Sequence, residues 1–153
     1  MAAVSQALAA PPLVKAPAPD FALRSLNDAN IRLSEHLGQV VLINFWATWC
    51  GPCRQEMPQL ELLHGKYQRA GLVLLGINID EQRDAAVDMA RTLHVTYPIL
   101  FDERKEVSRA YQLGTMPLTV LVDREGVVRY VYDGYKPGYE KRYTEHLREL
   151  LGE

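Results

Sequence analysis

Cysteine is scarce in this chain: there are two, Cys50 and Cys53, close together in the sequence. A bridge between them closes too short a loop to staple a fold, because cross-link stabilisation grows with the length of the loop closed. A disulfide framework is therefore excluded, and the pair is left as redox-active or metal-binding. Histidine is sparse as well. His36, His64, His94 and His146 are scattered singly, so the further ligands of a structural zinc site have no source at suitable spacing. Neither sign of charge is in excess. Seventeen basic against nineteen acidic residues leave a formal charge of −2, which excludes a surface built to hold nucleic acid or an acidic membrane. No apolar run approaches the ~20 residues that a membrane-spanning helix needs. What remains is a chain of 153 residues, 48% hydrophobic and 24% charged. That is the balance of one ordinary globular domain with a continuous core.

Residues 1–19 differ in kind from the rest. They are mostly Ala and Pro, and Pro11, Pro12, Pro17 and Pro19 block regular structure. They are expected to form a mobile or extended arm, ahead of a single domain over residues 20–153. A secretory signal would need a basic start and a longer apolar centre than residues 2–10 provide.

From Phe21 onward strands and helices alternate. Residues 21–23 and 31–33 flank a turn-rich segment, which predicts a short hairpin. Ser34 reads as the cap of one helical turn stopped by Gly38. Residues 40–46 are a nearly continuous apolar run rich in β-branched side chains, as in a central strand covered on both faces. A helix is predicted over about 52–69, with Met57, Leu60, Leu63 and Tyr67 on one stripe and a kink at Pro58. A second buried strand is expected over 72–80, a helix over 81–93, a short strand over 98–101 and a short helix over 105–111. Strands over 118–122 and 127–132 are joined by Asp123-Arg124-Glu125-Gly126, a hairpin by length and turn chemistry. A last helix over about 139–151 carries Tyr143, Leu147 and Leu150 on one face. This order implies an α/β fold, a mixed sheet with helices on both faces.

The cysteine pair falls where a buried strand ends and a helix begins. Helix N-termini present unpaired N–H groups and a partial positive charge, which favour a thiolate over a thiol. A cysteine there can have its pKa lowered to ~3.5–7.5. Pro52 suits the first helical turn, and Gly51 lets the chain turn tightly beside the sulfurs. Cys50 is expected to be the exposed attacking thiol and Cys53, one turn in, the buried resolving thiol.

The stretch Val41-Leu42-Ile43-Asn44-Phe45-Trp46-Ala47-Thr48-Trp49-Cys50-Gly51-Pro52-Cys53 resembles the active-site strand and loop of the thioredoxin superfamily. More narrowly it is similar to the TlpA/ResA-like branch of bacterial extracytoplasmic thiol–disulfide oxidoreductases. The resemblance runs from Ala18-Pro19-Asp20-Phe21 to the hairpin at 123–126 and on towards the last helix. It implies a thioredoxin-like fold with an N-terminal β-hairpin extension. It also implies that Thr115-Met116-Pro117 carries a cis-proline facing the two sulfurs, with Met116 offering its backbone to an incoming peptide as an added strand would. The other reading of Pro117 is an ordinary proline at the start of a strand. Pro58 matches the helix-kink proline of thioredoxins. Glu56, three residues after Cys53, matches a glutamate of the ResA-like branch that handles protons during exchange; otherwise it is a solvated acid offsetting the helix dipole. Asn44 stands where ordinary thioredoxins have a buried aspartate that takes the resolving thiol's proton. Because Asn44 cannot titrate, Glu56 is the nearest candidate in sequence for that task. Trp49 is expected to shield one side of the disulfide and contribute to the partner-binding surface, with Gly51, Pro52, Met116 and Pro117. Trp46 is read as core. Tyr130, Tyr132, Tyr135, Tyr139 and Tyr143 are read as packing.

The resemblance therefore implies a monomeric disulfide reductase in a periplasmic or other extracytoplasmic compartment. Its substrate would be a disulfide-containing protein and its electrons would come from a membrane thiol–disulfide donor. No cofactor is expected beyond the Cys50–Cys53 disulfide. Two rivals stay open. A peroxiredoxin shares the fold, but its peroxidatic cysteine has a threonine or serine three residues earlier, and Ala47 stands in that place before Cys50. A copper-binding maturation protein would use both cysteines and a histidine, since soft thiolates suit Cu(I); His94 or His146 could approach only through folding.

Overall fold

A computed structural model describes residues 10–153. A five-stranded mixed sheet forms the centre, in the order β5-β4-β3-β6-β7. Its strands are β3 (Val40–Trp46), β4 (Leu72–Asn78), β5 (Ile99–Phe101), β6 (Leu118–Val122) and β7 (Val128–Asp133). The neighbours β3, β4 and β5 are parallel, whereas β6 and β7 run antiparallel. All seven residues of β3 are buried, which is why that segment reads as an unbroken apolar run.

The helices are α1 (Gly51–Tyr67), α2 (Arg83–Thr92), α3 (Glu106–Ala110) and α4 (Tyr139–Leu151). Successive side chains of a strand point to opposite faces, and β3 shows where the helices lie. Asn44 bonds to Glu56 of α1, and α4 packs on both α1 and β3. Phe45, the next residue, packs its ring against Tyr111 just after α3, 5.4 Å between centroids. Helices therefore cover both faces. The helix α1 is continuous through Pro58, whose side chain is exposed. The Arg54 carbonyl that loses its helical donor there belongs to an exposed residue, where water can serve it.

The expected N-terminal hairpin is present, with each strand one residue nearer the turn than the hydrophobic pattern suggested. Strands β1 (Ala22–Arg24) and β2 (Asn30–Arg32) pair in register Leu23↔Ile31. Phe21 and Leu33 flank them and are both buried, joined by Leu33 N–H to the Phe21 carbonyl at 3.0 Å. Ser34 does not cap the turn that follows. The turn is a 3-10 helix over Leu33–His36 without a side-chain cap, and the Ser34 N–H instead donates to Asp20 Oδ1 at 3.0 Å. The nearby Asp20 carboxylate takes the amide that a capping hydroxyl would have left free.

Of the arm expected over 1–19, residues 1–9 lie outside the described residues. The remainder contacts the outer edge of β7. Lys15 N–H donates to the Val128 carbonyl at 2.7 Å, Val128 N–H to Ala16 at 2.9 Å and Ala18 N–H to Gly126 at 2.9 Å. At the opposite edge, Leu26 N–H donates to the Ile99 carbonyl of β5 at 2.9 Å. Both sheet edges thus have part of their backbone groups engaged, which blunts edge-to-edge pairing between molecules.

Candidate active site

The site forms where β3 hands over to α1. Ala47, Thr48 and Trp49 make the turn, and Cys50 is the N-cap of α1 with extended backbone, φ −99° and ψ 106°. Cys50 and Cys53 are disulfide-bonded with Cα atoms 5.3 Å apart. Cys50 Sγ accepts the backbone N–H of Cys53 at 3.2 Å. One of the unpaired N–H groups of the helix start therefore points at the sulfur, and in the reduced protein it favours the anion. The expected asymmetry of exposure is much smaller than the sequence suggested. Cys50 is only 6% exposed and Cys53 is 1% exposed, because the cap position folds Cys50 against the core. Beside them Trp49 is 67% exposed, while Trp46 is fully buried as expected of a core residue.

A carboxylate from the neighbouring strand pins this turn. Asp80, just past β4, accepts the Thr48 N–H at 2.9 Å and the Thr48 hydroxyl at 2.7 Å. Its Oδ2 also takes the Asn78 amide at 2.7 Å. These bonds fix the segment that presents Trp49 and Cys50. Neither Thr48 nor Asp80 stands out in the sequence, since both are common loop residues.

Beneath the cysteines lies a buried polar cluster. Glu56 shares the inward face of α1 with Cys53 and is fully buried, so it is not the solvated acid that its position in the first helical turns also allowed. Its Oε1 accepts Asn44 Nδ2 at 2.5 Å and the Thr119 hydroxyl at 3.2 Å; its Oε2 accepts the Tyr143 hydroxyl at 3.0 Å. Asn44 Nδ2 also reaches Thr119 Oγ1 at 3.1 Å. Asn44 of β3 and Thr119 of β6 are cross-strand partners, so the sheet register brings them together. Burial is the largest influence on the Glu56 carboxyl and raises its pKa to about 7. Hydrogen bonds from Tyr143, Thr119 and Asn44 pull it down, and the charge of Glu140 adds a smaller push upward. Tyr143 is held above the ordinary tyrosine range, mainly by burial and then by the charge of Glu56.

Thr119 and Tyr143 are the members that sequence reasoning missed. The signal for Thr119 was a polar residue inside the apolar strand Leu118-Thr119-Val120-Leu121-Val122, the same signature that Asn44 shows in β3. Tyr143 does pack as expected, edge-to-face on Tyr132 at 4.8 Å between centroids. Its hydroxyl has the additional task of reaching Glu56.

The Met116–Pro117 peptide bond is cis. Pro117 is buried, Met116 is half-buried against the core, and Thr115 ahead of them is exposed. The Pro117 carbonyl accepts Gly134 N–H at 2.8 Å, which ties this loop to the chain beyond β7. Gly51 and Pro52 are both exposed at the start of α1.

The histidines do not join the cysteines as ligands. His146 stacks on Tyr130 with 3.7 Å between centroids and hydrogen-bonds the Tyr132 hydroxyl through Nδ1. Among the described residues no three His, Cys, Asp or Glu side chains are grouped closely enough to hold a metal ion. No helix among them is long and apolar enough to cross a membrane.

Comparison with known proteins agrees with this geometry. Residues 14–131 match the AhpC/TSA family. The thiol-disulfide oxidoreductase ResA of Geobacillus kaustophilus is 38% identical over 117 residues, covering 76% of this chain and 67% of that protein. The thioredoxin-like protein YneN of Bacillus subtilis is 38% identical over 119 residues, covering 76% of this chain and 69% of that protein. Among solved structures, a protein from Chlorobium tepidum described as a thiol:disulfide interchange protein DsbE superposes with a TM-score of 0.87. It is 31% identical, and the match covers 91% of this chain and 98% of that one. With a helix-capping Cys50–Cys53 disulfide, a cis-proline loop and relatives of this kind, the chain belongs to the AhpC/TSA family and is a thioredoxin-fold thiol–disulfide oxidoreductase of the ResA-like type.

Proposed function

We propose that the protein reduces disulfides of partner proteins in an extracytoplasmic compartment and is recharged there by a membrane thiol–disulfide donor. The observation that carries the reading is the fully buried Glu56 one helical turn from Cys53, held by Asn44, Thr119 and Tyr143. In the reduced protein the Cys50 thiolate attacks a partner disulfide, forming a Cys50–partner bond and releasing one partner thiolate. Cys53 then gives its proton to Glu56, and its thiolate attacks Cys50 Sγ. That step releases the second partner thiolate and restores the Cys50–Cys53 disulfide. Two electrons pass to the partner, and two electrons from a donor dithiol later regenerate the enzyme. A carboxyl that titrates near 7 suits this exchange, because a proton acceptor works best when its pKa lies close to the working pH. The exposed Trp49 and the cis-proline loop Thr115–Met116–Pro117 would receive the partner peptide. The extracytoplasmic setting and the membrane donor rest on the resemblance to the ResA-like branch, and apocytochromes and copper-site proteins are the partner classes it suggests.

Equilibration of the Cys50–Cys53 pair with defined glutathione or dithiothreitol buffers tests the direction. A potential near or below ~−270 mV, the thioredoxin end of the scale, is expected of a reductase. A value near ~−120 mV would make the protein an oxidant and overturn that direction. Cys53→Ser should accumulate a covalent Cys50–partner complex on non-reducing gels, and full turnover by that variant would remove Cys53 from the resolving role.

A further inference from the structure

Asn44 holds one atom that the mechanism above does not use. Its Nδ2 donates to Glu56 Oε1 at 2.5 Å and to Thr119 Oγ1 at 3.1 Å, while its Oδ1 is buried and has no hydrogen-bond partner. Native interiors leave few polar atoms in that condition. The arrangement fits an ionised Glu56. A carboxylate only accepts, and here the Asn44 amide and the Thr119 and Tyr143 hydroxyls all donate to it.

Protonation reverses the requirement. One Glu56 oxygen becomes a donor, and on the Oε1 side it meets the N–H of Asn44, donor against donor at the shortest contact of the cluster. A half-turn of the Asn44 amide about its last torsion exchanges Oδ1 and Nδ2 with almost no change in the space filled. It presents the idle acceptor to the Glu56 O–H and to the Thr119 O–H. One amide atom is unpaired in either orientation, so neither is strongly favoured by the count of bonds alone. The protonation state of Glu56 then decides between them.

We propose that Asn44 is the positioning residue for Glu56, its side-chain amide turning over each time Glu56 gains or loses a proton so that the carboxyl is held in one place in both states. The inference rests on the reading of Glu56 as the proton-handling group and adds how that group is kept in register through the cycle. An aspartate at this position would be a second acid competing for the same proton, and an apolar residue would answer neither state. The other groups bearing on Glu56 are Thr119 from β6, Tyr143 and the more distant Glu140 from α4, Tyr97 ahead of β5, Tyr135 after β7, and Cys53 on its own helix. None of them combines a donor and an acceptor on a group that can rotate in place, apart from the hydroxyls of Thr119 and Tyr143, which already donate to Glu56.

The test is an NMR titration of the oxidised full chain between about pH 5 and pH 9, following the Glu56 carboxyl carbon and the Asn44 side-chain NH₂ together. The two signals should move with a common midpoint. In Asn44→Leu the carboxylate loses a charge-assisted donor and the protonated form loses only the weaker neutral acceptor, so the Glu56 midpoint should rise by about one pH unit, about a tenfold gain in proton affinity. Asn44→Asp should replace the single step by two coupled ones. An Asn44 NH₂ signal that stays fixed while Glu56 titrates would overturn the proposal without any variant having to fold. An unmoved Glu56 midpoint in folded Asn44→Leu would do the same. Failure of the underlying catalytic reading shows elsewhere, as exchange at the wild-type rate by Glu56→Gln.

Discussion

The buried carboxyl of Glu56 makes the stability of this protein depend on pH in a direction opposite to that of a salt-bridged acid. Its folded-state pKa of about 7 compares with 4.5 for a free glutamate. Between those values the folded protein binds more protons than the unfolded chain, so stability falls as pH rises and the loss is complete above the folded value. At 1.36 kcal/mol per pKa unit, the gap corresponds to about 3 kcal/mol, a large share of the ~5–15 kcal/mol that holds a domain folded. Glu56→Gln keeps the shape, retains an oxygen to accept from Tyr143, and removes the ionisation. Urea unfolding of the oxidised protein, with both cysteines unable to titrate, reads this as the stability difference between variant and wild type across pH. Near pH 5 the variant should be equal to wild type or about 1 kcal/mol less stable, from imperfect hydrogen bonds. Its relative stability should then climb by about 2.5 kcal/mol by pH 8. A difference that stays flat across this window would show that Glu56 keeps an ordinary pKa. A flat window joined to a difference that falls with rising pH only below about 4.5 would show that the three donors outweigh burial and hold the carboxylate charged, and the reasoning from desolvation would be wrong.

Tyr143→Phe removes a donor to the charged form of Glu56, so the pH profile of disulfide exchange should move upward by about one unit, and stopped-flow exchange rates against pH would detect it. Gly76→Ala would set a Cβ 2.9 Å from Tyr97 Cε2, 3.0 Å from Ile99 Cδ1 and 3.3 Å from Trp46 Nε1. In the packed interior of β4 this overfilling should cost about 1–3 kcal/mol in urea unfolding. Thr48→Val deletes the hydroxyl donor to Asp80. It should lower stability by about 1–2 kcal/mol and loosen the turn ahead of Cys50, seen as a changed Trp49 emission, with Thr48→Ser restoring both.

Much of this molecule was legible locally. The seven-residue apolar run of β3, the Cys-Gly-Pro-Cys start of α1 and the helical stripe of Met57, Leu60 and Leu63 each depend on neighbours in sequence, and each is where the pattern put it. Helix ends were less so. The helix expected over 81–93 is Arg83–Thr92 and that over 105–111 is Glu106–Ala110, because terminal turns depend on caps and contacts that hydrophobic spacing does not report. The strands β1 and β2 each lie one residue nearer the turn than expected because Phe21 and Leu33 are core residues flanking the ladder rather than members of it.

The amino-acid sequence alone determined the redox pair, its place at a helix N-terminus and the strand that carries it, since these are matters of residue type and spacing. The tertiary structure decided what surrounds them. Glu56 meets Thr119 across 63 residues and Tyr143 across 87, and Thr48 meets Asp80 across 32. Sheet register and helix packing bring these groups together, and no local pattern encodes a contact over such distances. Burial, likewise, belongs to the whole fold. Only the packed structure could place Cys50 at 6% exposure and leave Glu56 fully enclosed, which turns an acid on a helix into a carboxyl that titrates near 7.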